Sequence, residues 1–148
     1  MKANRYCLIA LTALQLACAG DSATDAARAA AGEWADSYFN CDYVRAASHS
    51  TAESERWLRL AASNTSQAKL DLLNERPAEC EVRRVDLSGD TLAIATVVVS
   101  DYVPPTLLGD TPRRSAAEGT FYVRLVMRDG AWKVRMEGLP RSERQSRD

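Results

Sequence analysis

Tyr38 and Asp42 stand four residues apart, one helical turn, and can present a hydroxyl and a carboxylate on the same side of a helix. A carboxylate base beside a hydroxyl donor is the equipment of general acid–base chemistry, provided that a dry enclosure shifts the pKa values. His49 is the only histidine, so any carboxylate–imidazole dyad has to use it. Each of the three has a plainer use. Tyr38 can bury its ring and find a partner for its hydroxyl. Asp42 can cap a short helix that follows it, and His49 falls in a connection just before a helix cap, a solvated kind of place. Tyr38, Asp42 and His49 are weak catalytic candidates, and no catalytic residue is assigned.

The aromatic residues form a second set. Trp34, Trp57, Phe121 and Trp132 are most simply core. The functional alternative is an apolar ligand cavity lined by Trp34, Tyr38, Trp57, Tyr102 and Phe121. Asp101 and Tyr102 are neighbours at the end of a strand and point to opposite faces, so only one of them looks inward. The connection from Pro104 to Glu118 is longer than a hairpin needs and carries Leu107 and Leu108. A loop of that length can cover the mouth of a cavity or touch a partner.

Cys7 lies in the leader described below and Cys18 at its end, which leaves Cys41 and Cys80 for the folded domain. In an oxidising compartment these two can bridge; otherwise they are separate buried thiols. A metal is the poorer alternative, because there is neither a C-x-x-C spacing nor a histidine cluster. The chain has no Walker loop, G-x-S-x-G elbow or H-E-x-x-H, and it implies no cofactor and no metal. Asn64-Thr65-Ser66 is a sequon, but the leader is of bacterial type, which argues against glycosylation.

These residues sit on an ordered series of elements. Ser22 to Asn40 reads as a helix whose inner face is Ala27, Ala30, Trp34, Tyr38 and Cys41. Tyr43 to Ala47 continues it briefly, with Val44 and Ala47 inward. Ser50-Thr51-Ala52-Glu53 has the form of a capping box and opens a second helix with Trp57, Leu60 and Ala61 as its stripe. Asn64-Thr65-Ser66-Gln67 has the same form, and the next helix turns Leu70 and Leu73 inward and stops at Pro77. Beyond Cys80 the pattern changes to strands: Val82 to Leu87, Thr91 to Val103, Gly119 to Arg128, and a last one with Trp132, Val134 and Met136 on its apolar side. Asp129-Gly130 is a hairpin signal. Helices followed by an antiparallel sheet with one wet face make an α+β domain. Tyr122, Arg124, Lys133 and Arg135 share the outer sheet face, and the charged tail after Pro140 reads as disordered.

The leader says where the chain works. Lys2 and Arg5 precede an apolar run from Cys7 to Cys18, too short for the roughly 20 residues of a membrane span, in the order of an export signal. Leu14-Gln15-Leu16-Ala17-Cys18 resembles a bacterial lipobox in which Cys18 is acylated, although Gln15 stands where an aliphatic residue is usual. Cleavage after Ala17-Cys18-Ala19 by ordinary signal peptidase, giving a soluble product, is the alternative. Residues 1–18 are thus read as the export signal, 19–140 as one domain and 141–148 as the tail. Removing Lys2 and Arg5 from the 19 basic residues leaves 17 against 20 acidic ones. So weak a charge excludes the concentrated basic surface that nucleic acid requires.

The order of elements resembles the nuclear-transport-factor-two-like superfamily from about Ala23 to Leu139, and more narrowly its envelope-associated bacterial members of unknown function. The segments that carry the resemblance are Trp34-Ala35-Asp36-Ser37-Tyr38-Phe39, Trp57 to Asn64, and Asp129-Gly130-Ala131-Trp132-Lys133-Val134. The resemblance implies a curved sheet of about four strands wrapped around a long N-terminal helix, a cone with a hollow. Relatives include isomerases, dehydratases and polyketide cyclases, and relatives often pair through the outer sheet face. The expectation is an exported, lipid-anchored, non-catalytic domain that binds a small apolar ligand or a protein partner. An acid–base enzyme of the isomerase, dehydratase or cyclase type and a dimeric assembly module with a filled core are its rivals. The bilayer, reached through acylated Cys18, and a second copy are the expected partners.

Overall fold

The computed structural model describes residues 17–107 and 109–147. Most of the expected export signal, residues 1–16, and Leu108 therefore lie outside the described residues. The chain is α+β: helices α1 (Ala17–Phe39), α2 (Tyr43–Ser48), α3 (Glu55–Ser63) and α4 (Gln67–Glu75) precede strands β1 (Glu79–Ser88), β2 (Leu92–Ser100), β3 (Gly119–Arg128) and β4 (Ala131–Val134). The strands form one antiparallel sheet in the order β1-β2-β3-β4. Among the described residues no helix is long and apolar enough to cross a membrane.

Alternation builds the two sheet faces. Ala93, Ala95, Val97 and Val99 of β2 and Phe121, Val123 and Leu125 of β3 are buried against α1, as a period of two requires when one face meets a helix. The buried stripe of α1 contains Ala27 and Trp34 as expected, and also Ala31, Ala35 and Phe39. The small alanines let the helix backbone lie close to the strands. Two side chains on α1 fix the approach. Arg28 donates to the Val82 carbonyl at 2.5 Å, beside the irregularity in pairing between Val82 and Arg84. Asn40 donates to the Ala78 carbonyl and accepts from the Ala78 N–H, at 3.1 and 2.8 Å, which clamps the end of α1 to the start of β1.

Several local readings change. In α2 it is Ala46 that is buried, while Val44 is 87% exposed; a helix of six residues turns only a narrow stripe inward, and Asp42 sets its phase. The second helix buries Leu58 and Ala61 and leaves Leu60 exposed. Its start is a 3-10 turn, Ala52–Ser54, rather than a capping box, because Ser50 Oγ donates to the Ala46 carbonyl instead of capping. Ser66, not Asn64, caps α4 by accepting from the Lys69 N–H at 3.2 Å. Strand β2 ends at Ser100, since Asp101 adopts φ 56° and breaks the extended run before Val103. The tail read as disordered forms a turn on the sheet: the Glu143 N–H donates to the Thr120 carbonyl at 3.0 Å, and Ser142 is buried.

A buried hydroxyl joins the two layers. Ser54, fully buried, donates to the Val134 carbonyl at 3.2 Å and accepts from the Met136 N–H at 2.8 Å, so the end of β4 is fastened to the start of α3. The Asp129-Gly130 turn has φ 50° and 78°, the left-handed pair that a two-residue hairpin of the favoured twist demands.

Candidate functional site

The space between α1 and the sheet is where the sequence placed a ligand cavity. Trp34 stacks on Tyr38 at 4.9 Å, Phe39 meets Phe121 at 4.6 Å, and Tyr102 packs edge-on to Phe121 at 5.5 Å. These rings fill the space. What remains beside Tyr38, Phe39, Tyr102 and Phe121 is a cavity of about 30 Å³, room for about two waters. Of the five expected lining residues, Tyr38, Tyr102 and Phe121 border it. Trp34 is buried on the same helix face without reaching it, and Trp57 lies on α3 under the Arg56 guanidinium, 4.8 Å from its ring centroid.

Two residues at this cavity were not legible in the sequence. Phe39 follows Tyr38 directly, and helical spacing assigned only one of them to the core. Lys69 reaches the cavity from α4, and burial pushes its ammonium below the ordinary lysine range. Its stem lies along apolar surface as a long basic side chain can, and no periodicity announces that.

The acid–base candidates do not converge. Burial pushes the Tyr38 hydroxyl far above its ordinary range, with Cys41 adding to the shift, so it stays neutral. The Asp42 carboxylate accepts from the Arg45 N–H at 3.0 Å and caps α2. His49 Nε2 lies 3.1 Å from Glu33 Oε2 at a solvated edge, where the Glu33 side chain is 55% exposed. Asp101 turns outward to Arg76 at 2.9 Å, and Tyr102 is its buried neighbour.

Cys41 and Cys80 are free thiols, both half-buried. Cys41 closes α1 with φ 63°, a conformation for which glycine is the ordinary choice, and its sulfur accepts from the Tyr43 hydroxyl at 3.4 Å. Burial pushes the Cys80 thiol up to about 12. The Pro104 to Glu118 connection is tied back near its end: Arg114 donates to the carbonyls of Asp101 and Leu72, the Ser115 N–H donates to the Tyr102 carbonyl at 2.8 Å, and Glu118 pairs with Arg83; Val103 and Pro105 reach the small cavity.

The outer sheet face offers more surface than the interior. Along β2, one of its two central strands, the outward positions are Leu92, Ile94, Thr96 and Val98, with no charge among them; Val98 is already buried. Leu92 is 46% and Ile94 43% exposed, and Tyr122 beside them 60%. Pairing sets charges at either side: Asp86, Ile94 and Arg124 form one row, and Arg84, Thr96 and Tyr122 the next. A solvated antiparallel face ordinarily carries polar side chains on its central strand, and here the apolar strip is framed by charge instead, the anatomy of an interface.

Fold and surface together define a helix-on-sheet α+β domain with an aromatic-packed core and an outer sheet face that exposes Leu92, Ile94 and Tyr122. No protein-family model matches the chain, and no curated protein matches it.

Proposed function

We propose that this is an exported, non-catalytic domain that works by association through its outer sheet face, first of all with a second copy of itself. The observation that carries the reading is the exposed, uncharged Leu92–Ile94 stretch of central strand β2, set beside an aromatic cluster of Tyr38, Phe39, Tyr102 and Phe121 that leaves only about 30 Å³ among its rings. The larger apolar hollow beside Ala26, Ala30, Met127 and Trp132 lies at the far end of α1, away from Tyr38, Tyr102 and Phe121, and Asp42 and His49 are engaged separately, with Arg45 and with Glu33.

The row Asp86–Ile94–Arg124 favours a twofold arrangement. Rotation about an axis along β2, lying in the interface, sets Ile94 on Ile94 and Asp86 against the partner's Arg124. Three strands of nine or ten residues and one of four, about 4.8 Å apart, give a face of roughly 500 Å². That is smaller than the about 800 Å² per partner of a stable interface, so the association is weak and concentration-dependent. We further propose membership of the nuclear-transport-factor-two-like superfamily, supported by the order of elements, and anchoring through acylated Cys18. The described part of α1 already includes Cys18, so such an anchor leaves no linker before the domain.

Sedimentation velocity over a range of concentrations tests the central claim. The full chain shifts to a dimer as concentration rises, and Ile94→Asp stays monomeric with an unchanged circular dichroism spectrum. A chain that remains monomeric throughout defeats this reading. Turnover of a carbonyl substrate that is abolished by Asp42→Asn replaces it with the enzyme. Mass spectrometry of the mature N-terminus tests the anchor.

A further inference from the structure

Strand β4 leaves the sheet early. The Arg135 N–H donates to the Arg124 carbonyl at 2.9 Å, after which the chain swings away from β3 and returns at Glu143, whose N–H donates to the Thr120 carbonyl at 3.0 Å. Residues 136–142 thus span a length of strand edge that about three extended residues would cover. Tyr122 lies midway between Thr120 and Arg124, and its backbone N–H and C=O point to this same edge.

The slack opens a hollow of about 360 Å³, bordered by Trp34, Tyr122, Arg124, Arg135, Glu137 and Arg141 among others. Its rim is held at both ends. The Met136 N–H is bonded to buried Ser54, the Ser142 N–H donates to Gln145 Oε1 at 3.0 Å, and the Tyr122 hydroxyl donates to Glu143. The opening is a preformed part of the fold.

Its lining has an excess of basic residues. Arg124, Arg135 and Arg141 border the hollow with one acidic residue, Glu137, which pairs with Arg124 at 3.2 Å; Glu143 stands on the rim, bonded to Tyr122, and Arg135 also acts on Glu53. Trp34 enters the lining from beneath the sheet. It is 1% exposed, and its indole N–H is buried without a hydrogen-bond acceptor. A buried donor left unpaired is costly and uncommon in a native fold.

We propose that this hollow binds a small carboxylate ligand. The arginines take the carboxylate oxygens in charge-assisted hydrogen bonds, the Trp34 indole lies beneath the site as part of its floor and reports on its occupation, and Glu137 is the internal competitor that the ligand displaces from Arg124. The volume is that of a site for a small organic molecule. The carboxylate can come from a free organic acid or from the C-terminus of a peptide. Arg124 also lies in the row used for self-association, so the two events compete, and the site itself does not depend on dimerisation.

The test is NMR of the tryptophan indole N–H resonances, with Trp34→Phe to assign Trp34, in the full chain and in Ile94→Asp. Glutarate is the probe, its neutral diamide the control, and a short peptide with a free or amidated C-terminus the second arm. The Trp34 resonance moves saturably with glutarate and stays in place with the diamide, in both proteins. Arg135→Gln weakens the response about tenfold, the loss of one charge-assisted bond. Glu137→Gln strengthens it roughly threefold, as removal of an exposed competing charge does. Unmoved Trp57 and Trp132 resonances show that the variants are folded. Tighter binding of the free-carboxyl peptide than of glutarate assigns the site to a chain terminus, and the reverse assigns it to a free acid. A Trp34 resonance that stays in place, or that moves equally with the diamide or in Arg135→Gln, overturns the proposal. Persistence of the response in Ile94→Asp separates its fate from that of the dimer.

Discussion

Phe39 on α1 and Phe121 on β3 lie with ring centroids 4.6 Å apart and planes tilted by 55°, and their contact closes the space in which a pocket was expected. Both rings are nearly fully buried. The helix and the sheet therefore meet as a packed core around these rings, and the outer face and the edge of the sheet are surfaces available for binding.

Truncation of that contact has a measurable result. Phe121→Ala lowers stability by about 3–5 kcal/mol, the range for removing a buried phenylalanine. Denaturant unfolding reads the loss. The same variant gains affinity for a small apolar probe such as indole, which the parent chain does not bind; equal binding by both would mean that the interior is open in solution.

Charge reversal probes the outer face. Asp86→Arg weakens self-association by setting two like charges against each other across the twofold row, and Asp86→Arg combined with Arg124→Asp restores it. Surface substitutions of this kind leave folding stability within about 0.5 kcal/mol, so sedimentation reports the interface alone. Equal dimerisation of the single and double variants would place the contact elsewhere.

The Cys80 thiol, pushed from its ordinary 9.0 up to about 12 by burial, makes the protein sensitive to alkali. A folded-state pKa raised above the unfolded one contributes stability that is complete below about 9 and is lost as pH rises toward about 12. Burial raises Tyr38 and Tyr43 as well, in the same direction. Lys69, lowered by burial, has the opposite sign: its penalty is relieved as pH approaches the ordinary lysine value. Three acids outweigh one base, so unfolding free energy falls above pH 9, and Cys80→Ala flattens that fall. In mildly alkaline buffer Cys80 resists alkylation in the native protein and reacts after unfolding, as peptide mapping will show.

Asp42 separates capping from catalysis. Asp42→Ala removes the acceptor for the Arg45 N–H and lowers thermal stability by about 1 kcal/mol, while Asp42→Asn, also a good cap, has little effect. A carboxylate base would behave differently, since the amide cannot replace it in proton transfer.

Some of this was written in the chain itself. Strand β3 and the Asp129-Gly130 turn stand where alternation and turn chemistry put them, and Ala27 and Trp34 lie on the buried face of α1. Such features depend on neighbours one to four residues away, so a local pattern suffices to define them. The order of helices before strands follows from the same periodicities.

Tertiary structure decided what those elements leave open. Whether a helix face and a sheet face enclose a hollow depends on the shapes of Phe39, Tyr102 and Phe121 once they are brought together from distant parts of the chain. The short β4, the return of the tail at Thr120 and the pairing of Glu33 with His49 are likewise set by distances between remote residues. Sequence spacing carries periodicity along the chain, but not the volume left between two packed layers, and it is that volume which moved the candidate sites from the interior to the rim and outer face of the sheet.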